Sequence, residues 1–224
     1  MIVLNWLEIS KFFFNKNIRA TFSFKNINLD APEFAKYCGF NHKLIAVPGQ
    51  THSNNVLKLS KGGFFPDTDG IFTFNSSIIC SIQVADCLPI FFAHKTQQFF
   101  GIVHAGWRGL VGGIIEQSID LIKKNNFSIK GIQVFVGPSI QSCCFEVRED
   151  IIKSFNSDFI KKINSKYFVN LQQIAINKLK LNGIFKENIM FSKDCTFCRI
   201  NKYHSYRRDG KKTGRMIGLI GLES

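Results

Sequence analysis

The sequence lacks any uninterrupted apolar run close to the roughly 20 residues that a membrane-spanning helix needs. Its first residues, Met1 to Glu8, also lack the basic region, the long apolar segment and the small-residue cleavage site of a secretory signal. Both absences argue against a membrane partner and against export. We therefore expect a soluble, cytoplasmic protein.

Three common active-site signatures are missing as well: the phosphate-binding loop G-x-x-x-x-G-K-[ST], the dinucleotide fingerprint G-x-G-x-x-G and the nucleophile elbow G-x-S-x-G. Their absence argues against kinases, Rossmann dehydrogenases and α/β-hydrolases. No linker, low-complexity stretch or internal repeat divides the 224 residues. Because 45% of the residues are hydrophobic and only 20% are charged, we expect a folded chain with a substantial core. We predict a single domain over residues 1–224.

Acidic residues are scarce, with 16 Asp and Glu against 29 Lys and Arg, which gives a net charge of +13 and a pI near 9.5. Such a balance is compatible with nucleic-acid binding. The lysines, however, are spread along the chain in ones and twos, and the sequence contains no zinc-finger spacing, RNP-like aromatic run or basic helix. A solvated basic surface is therefore the favoured interpretation, and a nucleic-acid partner is not expected.

Short apolar runs separated by polar and turn residues dominate the middle of the chain. Strands are predicted at 78–84, 88–92, 99–103, 132–136 and 188–192. Helical patterns are predicted at 113–124, around 149–163 and around 171–181, and a further apolar run covers 216–220. This mixture of closely spaced strands and later helices indicates an α+β fold rather than a regular βαβ repeat.

Seven cysteines, an odd number in a chain with no secretory signal, argue against a disulfide framework and predict free or metal-bound thiols. Cys195 and Cys198 form a C-x-x-C pair without a partner pair, so we favour structural or incidental thiols over a second zinc site. Cys143 and Cys144 are adjacent and poorly placed to chelate one ion together, so we interpret them as core or loop residues. The histidines at 42, 94 and 204 are interpreted as ordinary histidines.

Polar residues cluster directly after apolar strands, where side chains from different strands can converge. These clusters contain His52, Cys87 and His104. Two imidazoles and one thiolate suit tetrahedral Zn²⁺ with a fourth position left for water or substrate. The three residues are 35 and 17 positions apart, unlike the tight pairs of structural zinc sites. Residue types and spacing alone leave a metal site as one of several interpretations.

Five ordered motifs carry a resemblance to a known family. They are Gln50 to Val56, Ala85 to Ile90, His104 to Gly109, Gly137 to Ile140 with Cys144 to Val147, and Ser205 to Gly210 with Thr213 to Arg215. In this order they resemble the purine nucleoside phosphorylases once called polyphenol oxidases or multicopper laccase-like proteins, a family also described as peptidoglycan editing factors. The resemblance implies an α/β sandwich with mixed sheets and a metal site at strand ends, held by His52, Cys87 and His104.

The resemblance also implies a zinc-dependent phosphorylase that converts adenosine, inosine and methylthioadenosine into free base and ribose 1-phosphate, with adenosine deaminase activity. Zn²⁺ lowers the pKa of a bound water to about 7, which would suit attack at purine C6. Arg108 is the first candidate to hold phosphate, and Arg207 is a weaker one. Gln50 and Asn54 are candidates to bind the base or the ribose. Asp86 is a candidate to orient a metal ligand.

Other functions stay open at this point. A copper-dependent polyphenol oxidase fits poorly, because five histidines and one N₂S site cannot supply the copper centres of a laccase. A hydrolase that edits a peptidoglycan precursor could use the same metal, or use Cys87 as nucleophile and His104 as base. The family's Arg-x-Gly-Gly-x-Ser segment is not evident near residues 12–23, which puts its substrate contacts in doubt. The protein is expected to be a monomer or a homodimer.

Overall fold

The computed structural model describes residues 5–40 and 44–222, so that His42 lies outside the described residues. The strands are β1 Trp6–Glu8, β2 Ile18–Ser23, β3 Leu44–Pro48, β4 Val56–Leu59, β5 Gly63–Phe65, β6 Gly70–Thr73, β7 Ile78–Val84, β8 Leu88–His94, β9 Phe100–Ala105, β10 Ile132–Val136, β11 Glu146–Val147, β12 Ile160–Ile163, β13 Lys166–Val169, β14 Ile189–Phe191 and β15 Met216–Leu222. The helices are α1 Ala31–Tyr37, α2 Trp107–Val111, α3 Ile114–Lys124, α4 Glu149–Ile152, α5 Leu171–Leu181 and α6 Tyr206–Asp209.

The described strands form three sheets. Two have six strands each, in the orders β1-β2-β15-β7-β3-β5 and β14-β10-β8-β9-β6-β4, and the third joins β11, β13 and β12. Both large sheets contain parallel and antiparallel pairs. The predicted α+β class with mixed sheets is therefore confirmed.

The two large sheets pack face to face, and helices cover their outer faces. Phe22 and Ile82 of the first sheet share one core with Phe91 and Ile102 of the second. On the far side of the second sheet, the alternate residues of β8 pack with apolar residues of α2, α3 and α5. On the far side of the first sheet, Phe34 of α1 packs in a smaller core with residues of β7 and β15. Strand alternation thus lets each large sheet face two cores.

The helices predicted at 113–124 and 171–181 are present as α3 and α5. In α3 the buried isoleucines lie on one face, and Lys123 and Lys124 occupy the last turn, where they interact favourably with the helix dipole. Asn170 caps α5 by accepting a hydrogen bond from the backbone N–H of Gln173. In both cases the apolar periodicity predicted the helix within one or two residues.

The helix predicted around 149–163 is wrong beyond its first turn. Only Glu149–Ile152 is α-helical; a short 3-10 helix covers Ser157–Phe159, and Ile160–Ile163 is a strand paired antiparallel with β13. The two residues between these strands, Asn164 and Ser165, have φ values of 47° and 63°. Positive φ at both central positions defines a tight hairpin turn whose twist matches the strands it joins. Turn chemistry therefore outweighs the weak helical pattern in this segment.

No helix among the described residues is both long enough and apolar enough to cross a membrane. The connection between β7 and β8 passes from the first large sheet to the second. This connection, the end of β9 and the loop between β3 and β4 together position the candidate site.

Candidate metal centre

The three residues predicted to bind a metal converge at the ends of strands. His52 lies in the loop between β3 and β4, Cys87 lies between β7 and β8, and His104 lies on β9. One ligand atom from each lies within 4.8 Å of the other two. Cys87 Sγ is 3.7 Å from His52 Nε2, and the two imidazole centroids are 4.7 Å apart with nearly perpendicular rings. The structure therefore brings together residues that are far apart in the sequence.

A single buried carboxylate, Asp69, orients both histidines. Its Oδ1 lies 2.6 Å from Nδ1 of His104, which directs Nε2 of that ring as the available ligand atom. The same carboxylate accepts backbone N–H bonds from Thr51, His52 and Ser53 at 2.8–3.1 Å. Ser53 Oγ donates a further bond of 2.8 Å. One acidic side chain thus fixes the histidine on β9 and the loop that carries the other histidine.

The charges of the site support one another. Burial alone would raise the pKa of Asp69, but hydrogen bonds from His104 and Ser53 hold it at about 2. Burial would likewise lower the pKa of His104, but the Cys87 thiolate and Asp69 raise it to about 9. Against the effect of burial, His104 and His52 lower the pKa of Cys87 to about 6. The site therefore favours a thiolate, and a bound cation would replace the imidazolium proton as its partner.

The backbone is strained at two residues in or next to the His-His-Cys cluster. His52 has a φ of 62° and Asp86, next to Cys87, has a φ of 83°, in a region that ordinary residues avoid. Gly106 gives the ligands their space, because a Cβ on it would lie 2.8 Å from Cδ2 of His52 and 3.1 Å from Sγ of Cys87. Such local constraint is typical of functional sites.

The donor set fits a divalent metal ion. Two imidazole nitrogens and one thiolate, with a carboxylate behind one imidazole, are the ligands of catalytic zinc sites that keep a fourth position open. His52 is exposed and Cys87 half-buried, so the cluster can be reached from solvent. His52, Cys87 and His104 would hold the ion, and Asp69 would fix the orientation of His104.

The cluster lies in a cavity of about 840 Å³, within the size range of small-molecule sites. Its lining combines the three ligands with cationic and aromatic side chains: Phe64, Trp107, Arg108, Phe145, Tyr206, Arg207 and Arg215. Phe64 is 68% exposed and Tyr206 is 47% exposed, which leaves both rings free to contact a ligand. The cavity can therefore offer positive charge, flat apolar surfaces and a metal site to one molecule.

The arginines of the lining differ in what else they contact. Arg108 is exposed, and its guanidinium lies 4.5 Å from the centroid of the Trp107 ring. Arg207 donates to the carbonyl of Glu146 at 2.8 Å, and Arg215 donates to the carbonyl of Thr213 at 3.0 Å. Arg108 is thus the cavity arginine least committed to the backbone, which suits its predicted role with phosphate.

Gln50 and Asn54, predicted to contact the base or the ribose, are engaged with the backbone. The Gln50 amide exchanges two 2.8 Å hydrogen bonds with the backbone of Gln83, although Gln50 also lines the cavity. The Asn54 amide donates to the carbonyl of Gly112 at 2.6 Å, and Asn54 is not among the described residues that line the cavity. Both side chains hold the loop of His52 in place.

The prediction that Asp86 orients a metal ligand differs from the structure. Its carboxylate accepts bonds from Thr196 Oγ1 at 2.6 Å, from Ser205 Oγ at 3.0 Å and from the Arg207 backbone at 2.7 Å. Asp86 therefore joins the connection of Cys87 to the C-terminal segment, and Asp69 orients His104 instead. The sequence signal for Asp69 was the group Asp67-Thr68-Asp69-Gly70, which resembles half of a calcium loop.

A family model and curated relatives match most of the chain. The model of a family described as multi-copper polyphenol oxidoreductase laccase matches residues 23–223. The chain belongs to this family. Curated relatives of this laccase-like chain include, among others, two proteins named purine nucleoside phosphorylase. One, from Staphylococcus aureus strain N315, is 30% identical over 215 residues, covering 88% of this chain and 80% of the relative. The other, from Haemophilus influenzae, is 33% identical over 185 residues, covering 78% and 72%.

Solved structures support the same fold for this laccase-like chain. The hypothetical protein YfiH from Bacillus licheniformis is 25% identical, with a TM-score of 0.89, and the match covers 99% of this chain and 97% of that one. YlmD from Geobacillus stearothermophilus has a TM-score of 0.91 at 23% identity, and the match covers 100% and 98%. At 23% identity, the similarity to YlmD concerns the fold alone.

Proposed function

We propose that this protein is a zinc-dependent purine nucleoside phosphorylase with adenosine deaminase activity. One observation carries the proposal: a His-His-Cys cluster lies in a cavity that also offers arginines and exposed aromatic rings. Relatives that align over most of the chain are named purine nucleoside phosphorylase, which supports an enzyme of this class. Their names imply a nucleoside and phosphate as the substrates.

The cavity residues have separate roles in this proposal. Phe64 and Tyr206 would stack on the purine. Aromatic side chains stack on the flat face of a nucleobase, and every base has such a face. Arg108 would bind phosphate through its paired N–H donors and would position one oxygen toward the anomeric carbon of the ribose. As the new C–O bond forms, the glycosidic C–N bond breaks, and the purine keeps the electron pair and takes up a proton.

A bound zinc ion would supply a Lewis acid and would lower the pKa of water at the cavity floor. His52, Cys87 and His104 would hold it, and Asp69 would keep the His104 ring in its required orientation. Deamination of adenosine at C6 would need the purine base to reach this cluster, whereas phosphorolysis needs phosphate to reach the ribose. A single nucleoside orientation need not serve both reactions.

A second candidate function rests on the same residues. Cys87, His104 and Asp69 lie in the order nucleophile, base and orienting carboxylate, and the pKa of Cys87 is lowered to about 6. This arrangement would also suit a metal-free cysteine hydrolase, for which a peptidoglycan precursor is one possible substrate class. That chemistry does not require His52, whereas the proposed zinc site uses His52 together with Cys87 and His104. The zinc-dependent phosphorylase is therefore the better supported proposal.

The deciding experiment measures hypoxanthine release from inosine with and without phosphate, beside metal analysis of the purified protein. The proposal expects release that requires phosphate and a bound zinc ion. Copper in place of zinc, with oxidation of phenols, would support a polyphenol oxidase instead. Release that is independent of phosphate would favour a hydrolase.

Two variants refine this test. Under the zinc proposal, Cys87→Ser should remove both the metal of this cluster and the activity. In a metal-free cysteine hydrolase, the same substitution would remove the activity and leave the metal content of the protein unchanged. Arg108→Met should raise the KM for phosphate by about tenfold or more, since it removes a charged contact of about 1.5–3 kcal/mol. Arg148→Met is the matched control, because Arg148 is a surface arginine whose side chain is 84% exposed. It should leave the KM unchanged.

A further inference from the structure

Four cysteines outside the cavity form a second thiol cluster. Cys143, Cys144, Cys195 and Cys198 are free thiols whose sulfurs all lie within 4.8 Å of one another. Sγ of Cys198 lies 3.8 Å from Sγ of Cys143 and 3.3 Å from Sγ of Cys144. The C-x-x-C pair therefore has the partner pair that the sequence did not reveal.

Backbone contacts bring the two pairs together. Ser139 and Cys195 form an isolated parallel β-bridge, and the backbone N–H of Thr196 donates to the carbonyl of Ser139 at 3.1 Å. Cys143 and Cys144 lie in a turn at 142–144, and Cys195 directly precedes a second turn, at 196–198, that contains Cys198. The backbone N–H of Gln141 donates to Sγ of Cys195 at 3.4 Å. Peptide N–H groups directed at sulfur stabilise a thiolate in the way that hydrogen bonds around metal-bound ligands do.

The spacing of the sulfurs matches a single ion. A tetrahedral zinc ion with Zn–S bonds of about 2.3 Å holds its sulfurs about 3.8 Å apart. The two measured separations, 3.3 and 3.8 Å, lie near this value, and the remaining pairs need to contract by no more than about 1 Å from their limit of 4.8 Å. In a [4Fe–4S] cluster each cysteine binds its own iron, so the sulfurs would spread further apart.

The ligand set is closed, because four protein sulfurs fill a tetrahedral ion and leave no position for water or substrate. We propose that Cys143, Cys144, Cys195 and Cys198 bind one structural zinc ion, separate from the ion of the cavity. Binding releases the protons of the four thiols and leaves a zinc tetrathiolate with two negative charges. The backbone carbonyl of Cys144 lies 3.4 Å from the Arg207 guanidinium, which places a positive charge beside this cluster.

The ion would join two segments that build the cavity wall. Ile140 and Phe145, on either side of the 142–144 turn, line the cavity. Thr196, within the second turn, bonds the carboxylate of Asp86, and Arg207 bonds the carbonyls of Cys144 and Glu146. Loss of this ion should therefore loosen the wall of the cavity and lower the stability of the protein while leaving the His-His-Cys cluster intact.

Metal stoichiometry tests the proposal directly on the reduced full-length protein. The proposal expects two zinc equivalents in the unaltered protein and one in Cys198→Ser and in Cys143→Ser. Cys87→Ser should also hold one, and the Cys87→Ser/Cys198→Ser double variant none. Cys38→Ala is the control, since Cys38 is buried apart from both clusters and should keep two equivalents. Zinc that is unchanged by Cys198→Ser would overturn the proposal, whatever the result for Cys87→Ser.

Two further measurements test the same cluster, and the first of them needs no variant. In the unaltered protein, mass spectrometry after alkylation should find all four cysteines protected together, and a strong chelator should expose all four. In cobalt-substituted protein, intense sulfur-to-cobalt absorption should disappear in large part in Cys198→Ser, which retains only one thiolate ligand at the cavity site. Independent alkylation of the four thiols, a disulfide between two of them, or iron in place of zinc would contradict the proposal. None of these results depends on phosphorylase activity.

Discussion

Replacing Asp69 with Asn tests whether one carboxylate organises the whole metal centre. The substitution keeps the size of the side chain but removes its charge and turns one oxygen into an N–H₂ donor. Asp69 now accepts bonds from Nδ1 of His104 and from the backbone of residues 51–53. The new amide nitrogen would face at least one of these donors, so the loop of His52 or the ring of His104 must lose a partner.

Two independent effects set the size of this loss. A carboxyl whose pKa falls from 3.8 to about 2 on folding stabilises the folded protein by about 2 kcal/mol at neutral pH. Removing the carboxylate behind a metal-bound histidine typically weakens metal binding by about 10–100-fold. We therefore expect Asp69→Asn to unfold at a lower urea concentration and to bind zinc about 10–100-fold more weakly.

Zinc affinity should be measured by competition with a chelator, beside urea unfolding of the apoprotein. Asp67→Asn is the matched control, because Asp67 bonds the side chains of Thr51 and Asn55 but none of the three ligands. Asp67 has a φ of 45°, a conformation that asparagine tolerates well. A zinc affinity of Asp69→Asn within about twofold of the unaltered protein, or an equal loss in Asp67→Asn, would refute the role assigned to Asp69.

Three further predictions concern the same region. Because the pKa of Asp69 is lowered by folding, its contribution to the free energy of unfolding should be present above about pH 4 and vanish toward pH 2; urea unfolding of the unaltered protein and Asp69→Asn should converge as pH falls. Gly106→Ala should reduce zinc occupancy, measured by metal analysis, because its Cβ would meet His52 and Cys87; full occupancy would contradict this. Phe64→Ala should raise the KM for inosine by about 2–10-fold with little change in melting temperature, and an unchanged KM would remove Phe64 from base binding.

The sequence predicted the convergence of His52, Cys87 and His104 better than it predicted the residues around them. His52, Cys87 and His104 lie within distinctive motifs at or next to the ends of strands, where a site is often built. Asp69 belongs to a group that resembles half of a calcium loop, and only its burial beneath the 51–53 backbone reveals its role. Asp86 was the expected orienting carboxylate because it precedes Cys87. Neighbours in sequence need not point the same way, and its φ of 83° accompanies bonds toward the C-terminal segment.

Secondary structure was predictable where apolar periodicity was strong and local. The strands β7 to β10 and the helices α3 and α5 follow directly from such patterns. The strand at 160–163 was not predicted, because its residues suit either a helix or a strand. The turn at Asn164 and Ser165 decides between the two. The contact between the two cysteine pairs was not predicted for a different reason. Their contact depends on the bridge between Ser139 and Cys195, a long-range pairing that no local pattern records.

The two thiol-containing clusters depend on different parts of the fold. The His-His-Cys cluster is supported by Asp69 and by the ends of strands from both large sheets. The wall that carries Phe145 and Arg207 depends instead on contacts between the turns of the four-cysteine cluster and the C-terminal segment. Damage to that wall should therefore change the KM for the nucleoside before it changes zinc occupancy in the cavity. Damage around Asp69 should have the opposite order of effects.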